Sequence, residues 1–190
     1  MTSKIKVNIL ADGGDNSIIT SDGAGSFTAS SSLASSVQSV GGLQNTPAFD
    51  VRLGSDQTMS DNTITKANFD TEDLDTASAY DTSTYRFTVP SNQAGTYFIY
   101  AFTNGGGSGG NTSLSHDVFL YKNGSQITGA RGHTRHDTNR TFLDVNTITL
   151  SVNLAVGDYL EVYARADISS GSATLHSLGS RFGGYKLIGA

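Results

Sequence analysis

Residues 85–102 read YRFTVPSNQAGTYFIYAF, and this stretch predicts two strands of an antiparallel β-sandwich. Apolar and polar residues alternate over residues 85–89, and Pro90 ends the run because it has no N–H for the next ladder hydrogen bond. Residues 95–102 are apolar on both faces, which is typical of a strand buried on both sides. We therefore expect the core to cover one face and another sheet or another subunit to cover the other.

Short strands of the same kind lie further along the chain. Residues 117–122 (DVFLYK) run into Asn123-Gly124, a strong hairpin signal because both residues tolerate a positive φ. Residues 148–154 alternate apolar and polar side chains, and Gly157-Asp158 turns the chain into the next apolar run. After residue 47 this pattern gives eight or nine short strands and no convincing helix. It predicts an all-β fold, an antiparallel jelly-roll sandwich in which two sheets share one core.

The composition excludes several classes of protein. The 190 residues include no Cys, which excludes a disulfide scaffold and a thiolate zinc site. The net charge of −5 argues against nucleic-acid binding, and no apolar run is long enough to insert into a membrane. The opening also lacks the apolar core of a secretory signal. We expect a soluble protein that does not depend on redox chemistry.

The composition changes near residue 47, so we predict two parts. Residues 1–46 contain three glycine-bearing turns between short strand candidates such as residues 4–9, and residues 30–40 have helical spacing. This part has too few large apolar groups to fold alone. We interpret it as a short β-rich extension for attachment or oligomerisation, with a flexible leader as the alternative, and residues 47–190 as a jelly-roll knob.

A series of aromatic and acidic residues at fixed spacing points to a known family. It consists of Phe69, Asp75, Tyr80, Phe87, Gly95 and Tyr97. The series resembles the signature of the globular head of complement C1q, a jelly-roll family related to tumour necrosis factor. The gap between Phe87 and Gly95 is two residues longer than in the family pattern. Residues 122–124 (KNG), 157–158 (GD) and 181–187 (RFGGYKL) are similar to later family motifs, so the resemblance covers about residues 47–190.

The resemblance implies a homotrimer, in which one sheet packs on its counterparts around a threefold axis. Aromatic residues beyond the needs of one core are then expected at the subunit contacts. The alternative is that all of them fill the core of the monomer. The candidate interface residues are Tyr97, Tyr100, Phe102, Tyr159, Tyr163, Phe182 and Tyr185.

The first 46 residues have no counterpart in that family, and the chain lacks a collagen repeat. The opening MTSKIKVNILADGG, followed by Gly- and Ser-rich short strands, is similar to structural proteins of tailed bacteriophages. This resemblance implies a virion protein, made in the host cytoplasm, that other virion proteins hold through residues 1–46. Its place on the capsid or the tail stays open. The alternative is a soluble, non-viral, lectin-like trimeric binding module.

Residues 129–140 form a polar segment, predicted as a loop, that contains the one cluster of histidines in the sequence. The cluster comprises Arg131, His133, Arg135, His136 and Arg140. Forked guanidinium donors suit sulfate, phosphate or an acidic glycan, so these residues are the predicted contacts with a host glycan or receptor. A metal site with Asp137 and a solvated hairpin tip are the alternatives. The glycine-rich residues 104–111 predict a mobile surface loop, and residues 104–115 form a second candidate contact loop.

Residues 70–75 (DTEDLD) hold four carboxylates and are the best calcium candidate, with an exposed loop as the alternative. The sequence contains no nucleophile elbow and no phosphate-binding loop, and nothing singles out a carboxylate pair for glycoside hydrolysis. We therefore predict no enzymatic activity and no cofactor, and a metal stays an open question.

Overall fold

The structure is a computed structural model, and the chain forms two compact units, Met1–Gln44 and Asn45–Ala190. It describes residues 9–11, 13, 17–21, 24, 27–29, 45–107, 113–140, 144–169 and 171–187. For residues 11, 21, 27, 29 and 137–140 it describes only the backbone. Residues 4–8 of the predicted first strand and the helix candidate over residues 30–40 lie outside the described residues.

The first unit contains a small antiparallel sheet in the order β1-β2-β3. Its strands are β1 (Ile9–Ala11), β2 (Ser17–Ser21) and β3 (Phe27–Ala29). Ile9 and Leu10 are 54% and 53% exposed, so this sheet leaves large apolar side chains in contact with water.

The second unit is a sandwich of two antiparallel sheets with six strands each. The front sheet comprises β4 (Ala48–Arg52), β5 (Gln57–Met59), β7 (Thr71–Asp75), β10 (Gly95–Gly107), β13 (Asp144–Leu154) and β15 (Ala173–Lys186). The back sheet comprises β6 (Thr65–Lys66), β8 (Tyr80–Asp81), β9 (Arg86–Thr88), β11 (Ser113–Lys122), β12 (Ser125–Arg140) and β14 (Tyr159–Ile168). The described residues contain no helix.

The order of the strands is that of a jelly roll. The front sheet runs β13-β10-β15-β4-β7, with β5 beside β15, and the back sheet runs β12-β11-β14-β9-β8, with β6 beside β14. The chain passes from β10 to the back sheet for β11 and β12, returns for β13, and alternates again through β14 and β15. The predicted all-β antiparallel sandwich is confirmed.

Strand alternation places one face of each strand in the core. In β10 the side chains of Tyr97, Ile99 and Ala101 are fully buried, whereas those of Phe98 and Tyr100 point to the other face and remain partly exposed. The prediction that the core covers one face of this strand is confirmed. Within one subunit, the other face is only partly covered.

The aromatic residues of the signature meet in the centre of the sandwich. Phe49 stacks on Phe87 with ring centroids 4.3 Å apart, and Phe87 packs against Tyr97 at 5.7 Å. Tyr80 is also buried, and its hydroxyl donates to the carbonyl of Phe69 at 3.0 Å. These residues explain the signature spacing, because each reaches one shared cluster from a different strand or connection.

Two local features of the signature region have clear physical reasons. The carboxylate of Asp75 accepts hydrogen bonds from the backbone N–H groups of Ala77 and Tyr80, at 3.1 and 2.8 Å, and so closes the turn between β7 and β8. Asn123 and Gly124 have φ angles of 52° and 77°, as the predicted hairpin requires.

Two predicted loops are strands. Residues 104–107 continue β10 and pair with β15, and residues 129–140 belong to β12. Gly105 pairs with β13 on one side and with β15 on the other, and it lies against the buried ring of His116, so a side chain at position 105 would collide with that ring. Burial lowers the pKa of His116, and its Nε2 lies 2.9 Å from the hydroxyl of Thr103. Residues 108–112 lie outside the described residues.

A membrane-spanning helix is not found anywhere in the part of the chain that the structure describes.

The central aromatic cluster should dominate the stability of the sandwich. We expect Phe87→Ala to lower the free energy of unfolding by about 3–5 kcal/mol, because it leaves a cavity beneath Phe49 and Tyr97. Val156→Ala is the control, since Val156 is 52% exposed and should change stability by less than about 0.5 kcal/mol. Urea unfolding followed by circular dichroism measures both. Equal effects of the two changes would contradict the assigned core.

Candidate functional site

The seven aromatic residues predicted at subunit contacts fall into three places. Tyr97 and Phe182 are fully buried in the core of their own subunit. Tyr100, Phe102 and Tyr185 lie on the outward face of the front sheet, whereas Tyr159 and Tyr163 lie on the outward face of the back sheet. One packed sheet therefore cannot use all seven.

The prediction is wrong for Tyr97 and Phe182, because the core leaves neither any surface for a second subunit to cover. Phe182 meets the edge of Phe49 at 4.9 Å, and the Tyr97 hydroxyl donates to the carbonyl of Gln93 at 2.7 Å. Burial raises the pKa of Tyr97 to about 12. Both residues belong to the monomer core.

The outward side of the front sheet carries an aromatic face, formed by Phe98, Tyr100, Phe102 and Tyr185. Phe98 and Tyr185 pack with ring centroids 5.5 Å apart, and Tyr100 and Phe102 at 6.4 Å. The ring of Tyr100 lies over Gly183, where a Cβ atom would collide with it. Phe98 was not among the predicted interface residues, although it lies in the same strand as two of them.

Further apolar side chains lie beyond the aromatic face, toward one end of the front sheet. Val145 is 57% exposed on β13 and is the register partner of Asn104, two residues beyond Phe102. Leu178 is 85% exposed, and its carbonyl accepts a hydrogen bond from the Asn104 side chain at 2.7 Å. The polar residues Asn104 and Thr147 adjoin Phe102 on the same side of the sheet, so Val145 and Leu178 are separate exposed apolar side chains at this end.

A mixed ion network borders the aromatic face. Arg181 bridges Asp50 and Asp73 with N–O distances of 2.5 Å, and Arg52 also contacts Asp73 at 3.3 Å. The hydrogen bonds that Arg181 donates to Asp50 raise the pKa of Arg181 despite its partial desolvation. Desolvation raises the pKa of Asp73, but Arg181 and Arg52 outweigh it and hold that pKa below its usual value. The border therefore carries both signs of charge.

The back sheet presents a different surface. Tyr159 holds the guanidinium of Arg86 4.0 Å from its ring centroid, and the tilted rings of Tyr163 and Tyr121 pack with centroids 4.3 Å apart. Beside them the buried carboxylate of Glu161 pairs with Arg86 and with a lysine of β6, Lys66. Tyr159 and Tyr163 thus belong to a cluster of charged and aromatic side chains on the back sheet, whereas the aromatic face lies on the front sheet.

The same outward side of the back sheet contains a polar cleft of about 320 Å³, which we call the back-sheet cleft. Its lining residues are Asn62, Leu114, Ser115, Arg131, His133, Arg135, His136, Arg165 and Asp167. Four of the five predicted contact residues therefore meet at one place. The side chain of the fifth, Arg140, lies outside the described residues.

A buried carboxylate organises the cleft. Asp117 has no exposed surface, and its two oxygens accept hydrogen bonds from Arg131 at 2.6 Å and from Arg165 at 2.7 and 3.0 Å. His133 Nδ1 lies 2.7 Å from the same carboxylate. Burial by itself raises the pKa of Asp117, but Arg165 and Arg131 outweigh it, so the pKa lies below its usual value.

Sequence reasoning missed Asp117 and Arg165. Both lie in strands whose side chains alternate between the two faces, and this alternation is visible in the sequence. Arg131, His133 and Arg135 alternate with Gly132 and Thr134, which is the pattern of one strand face and not of a loop. In β14 the residues from Glu161 to Asp167 alternate polar and apolar in the same way. Register then aligns Asp117 with His133 on one side and with Arg165 on the other.

The residues of the two metal candidates do not converge on one place, unlike the predicted anion contacts. In residues 70–75, Asp70 accepts a hydrogen bond from the Gly54 N–H, Asp73 pairs with arginines, and Asp75 closes a turn. These carboxylates therefore point to separate partners. His136 Nε2 pairs with Asp144 at 2.7 Å. Among the described residues, no three metal-ligating side chains converge.

Comparison with solved structures identifies the fold. The globular domain of zebrafish complement 1qA superposes with a TM-score of 0.53 at 13% identity, over 74% of this chain and 97% of that one. Eiger TNF from S. frugiperda gives 0.54 at 15% identity over 75% and 93%. Murine APRIL gives 0.54 at 13% identity over 74% and 98%. The protein therefore has the C1q/TNF-like jelly-roll fold. No family model and no curated protein matches the sequence.

The buried carboxylates on the back sheet should make the protein sensitive to acid. The pKa values of Asp117 and Glu161 are lowered in the folded state, so their stabilisation is complete above the unfolded pKa of about 4 and is lost as the pH falls through the folded values. We expect the urea midpoint to decline below about pH 6.5, because burial lowers the pKa of His116 and the unfolded chain takes up a proton that the folded chain does not, and to fall further below about pH 4.

Asp117→Asn should flatten part of that acid decline and should lower stability at pH 7 by about 1–3 kcal/mol, since both arginine partners are partly exposed. Glu72→Gln is the matched control, because Glu72 is exposed on β7. An identical pH profile for wild type and Asp117→Asn would contradict the role given to Asp117.

Proposed function

We propose that the protein is a homotrimeric structural protein of a tailed-phage virion that displays a jelly-roll head and acts by binding, not by catalysis. Residues 47–190 form the displayed head, and residues 1–46 attach it to other virion proteins. The aromatic face is the observation that carries the proposal. A lone subunit covers this face only in part, and two further copies of the same chain would cover the rest.

Several features of the front sheet support copies of this chain as the occupant. The protein shares its fold with a family whose members are typically trimers, and the signature in residues 69–97 resembles that of the family. In those trimers one sheet of each subunit packs on its counterparts. Aromatic side chains such as Phe98 and Tyr100 are enriched at the centres of protein interfaces. The border of the face is balanced, with Arg52 and Arg181 beside Asp50 and Asp73, so that a second copy does not meet a single sign of charge.

Features of the first unit support attachment. Its described strands are short, and both Ile9 and Leu10 are more than half exposed. A small sheet with such side chains needs a partner to cover them. Together with the opening that is similar to phage structural proteins, this favours residues 1–46 as the segment that binds the particle, on either the capsid or the tail.

The back sheet remains available for recognition in this arrangement. The back-sheet cleft opens on the side of the sandwich opposite to the aromatic face, so a trimer built on the front sheet would display three clefts outward. Weak contacts at several clefts multiply the overall affinity without any chemical step. Host-surface attachment by the head is therefore part of the proposal.

The trimer is tested by light scattering on the full chain, with an expected mass of about three times 19.9 kDa. The double variant Phe98→Ser/Phe102→Ser should weaken the trimer, because it removes two aromatic side chains from the proposed subunit contact. We expect the protein concentration at which half of the trimer dissociates to rise at least about tenfold above that of wild type. The matched control is Tyr121→Ser/Tyr163→Ser, which removes two aromatic rings from the back sheet and should leave the trimer intact.

Circular dichroism and urea midpoints verify that both double variants are folded. A monomeric wild type would overturn the trimer. Dissociation of the back-sheet control to the same extent as the front-sheet variant would overturn the choice of face.

The virion role is tested by electron microscopy of source particles labelled with an antibody raised against the full protein. We expect regularly spaced label on the capsid or on the tail. Particles assembled from a chain lacking residues 1–46 should carry no label, whereas the Val156→Ala control should label normally. Trimeric protein found only free of particles would replace the virion role with a soluble lectin-like module.

A further inference from the structure

We propose that the back-sheet cleft is a binding site for one oxyanion group, a carboxylate, sulfate or phosphate, carried by a sugar. The use of this site in attachment rests on the function proposed above. The described lining residues belong to the back sheet and its connections, so the site uses none of the aromatic face of the front sheet.

The first argument is the unequal pairing of charge around Asp117. One buried carboxylate holds two guanidinium groups, Arg131 and Arg165, so one positive charge remains uncompensated at this point. Each guanidinium has five N–H donors, and Asp117 occupies only part of each set. The side chains of Arg131 and Arg165 keep 41% and 28% of their surface exposed, so donors remain available to the cleft.

The second argument is that these donors are held in place before any ligand arrives. Arg131 is fixed by Asp117 on one side and lies 5.6 Å from the ring centroid of Phe119 on another. Arg165 is fixed by two hydrogen bonds to a single carboxylate oxygen. A preorganised fork loses little side-chain entropy on binding, which favours a planar or tetrahedral oxyanion.

The third argument is Arg135, which has no carboxylate partner within the described part of the chain. Each of the other arginines with a described side chain pairs with at least one carboxylate: Arg52, Arg86, Arg131, Arg165 and Arg181. Arg135 lines the cleft beside them, exposed and on the same strand face as Arg131. It is a cation in position to meet an external anion.

Size and charge restrict the ligand further. A volume of about 320 Å³ lies at the lower end of small-ligand sites, which suits a single sugar unit with one charged group. Asp167 is the one carboxylate among the lining residues and opposes anion binding. The lining holds three arginines against Asp167, whereas Asp117 and Asp144 are not lining residues and are already paired with Arg131, Arg165 and His136. The lining therefore carries a net positive charge, which disfavours a metal cation.

The experiment is isothermal titration calorimetry of the full-length protein with four sugars that share one ring. Glucuronate, glucose 6-sulfate and glucose 6-phosphate carry different oxyanions, and glucose carries none. We expect saturable binding of at least one charged sugar, with a dissociation constant of about millimolar, and no binding of glucose. The preferred charged sugar then identifies the oxyanion.

Two variants with opposite expected effects on affinity test whether the sugar binds in the cleft. Arg135→Gln should weaken the preferred sugar about tenfold or more, because it removes a charged donor. Asp167→Asn should tighten binding several-fold by removing the opposing charge. Arg52→Gln is the matched control, since it removes one positive charge from the front sheet and should leave the affinity unchanged.

Equal binding of glucose, no binding of any charged sugar, or equal losses from Arg135→Gln and Arg52→Gln would overturn the proposal. Light scattering on the same samples keeps it separate from the trimer. A monomer that binds the charged sugar supports the cleft and rejects the trimer, whereas a trimer that binds none of them rejects the cleft alone.

Discussion

Each strand of a two-sheet sandwich has two faces, and the core can cover only one of them. This constraint organises the second unit of the protein. Tyr97, Ile99 and Ala101 turn inward from β10, so Phe98 and Tyr100 must turn outward, because successive side chains of a strand point to opposite sides. Within this unit the residues proposed to bind lie on the outward faces, and the outward faces of the two sheets differ in chemistry.

On the front sheet the outward side of β10 and β15 is aromatic, whereas β13 presents the polar residues Thr147, Thr149 and Ser151 and the ion network lies on the side of β4. Its glycines matter for this arrangement: Gly183 makes room for the ring of Tyr100, which a larger residue at position 183 would displace. An aromatic surface of this kind suits the same surface on another copy of the chain. That match is why the proposed partner of the front sheet is a further copy of the chain and not a small molecule.

The back sheet instead buries charge. A carboxylate without exposed surface is costly unless it is paired and hydrogen-bonded, and Asp117 and Glu161 each have two cationic partners. Those partners come from different strands, so the ion clusters also tie the strands together across the sheet. Asp117 does not use all the N–H donors of Arg131 and Arg165. Both arginines therefore stabilise the sheet and also line the back-sheet cleft.

Local patterns in the sequence were sufficient for the fold class. The alternation in residues 85–102, the Asn123-Gly124 hairpin and the signature from Phe69 to Tyr97 depend on nearest-neighbour geometry, which a linear sequence displays directly. The grouping of arginines and histidines in residues 129–140 was also visible, although their strand was mistaken for a loop. The period of two in that segment was present, but Gly132 and Thr134 are small and polar and do not resemble a core-facing row.

Only the tertiary structure decided which aromatic residues lie inside, which sheet each outward residue belongs to, and which distant residues meet. Tyr97 and Tyr100 look equivalent along the chain, yet one is core and the other surface, because the choice depends on register and on the direction of the strand. Arg165 reaches the cleft only because β14 pairs with β11 across more than forty residues of chain. Sequence determines the alternation of faces, whereas the pairing of strands determines what each face meets.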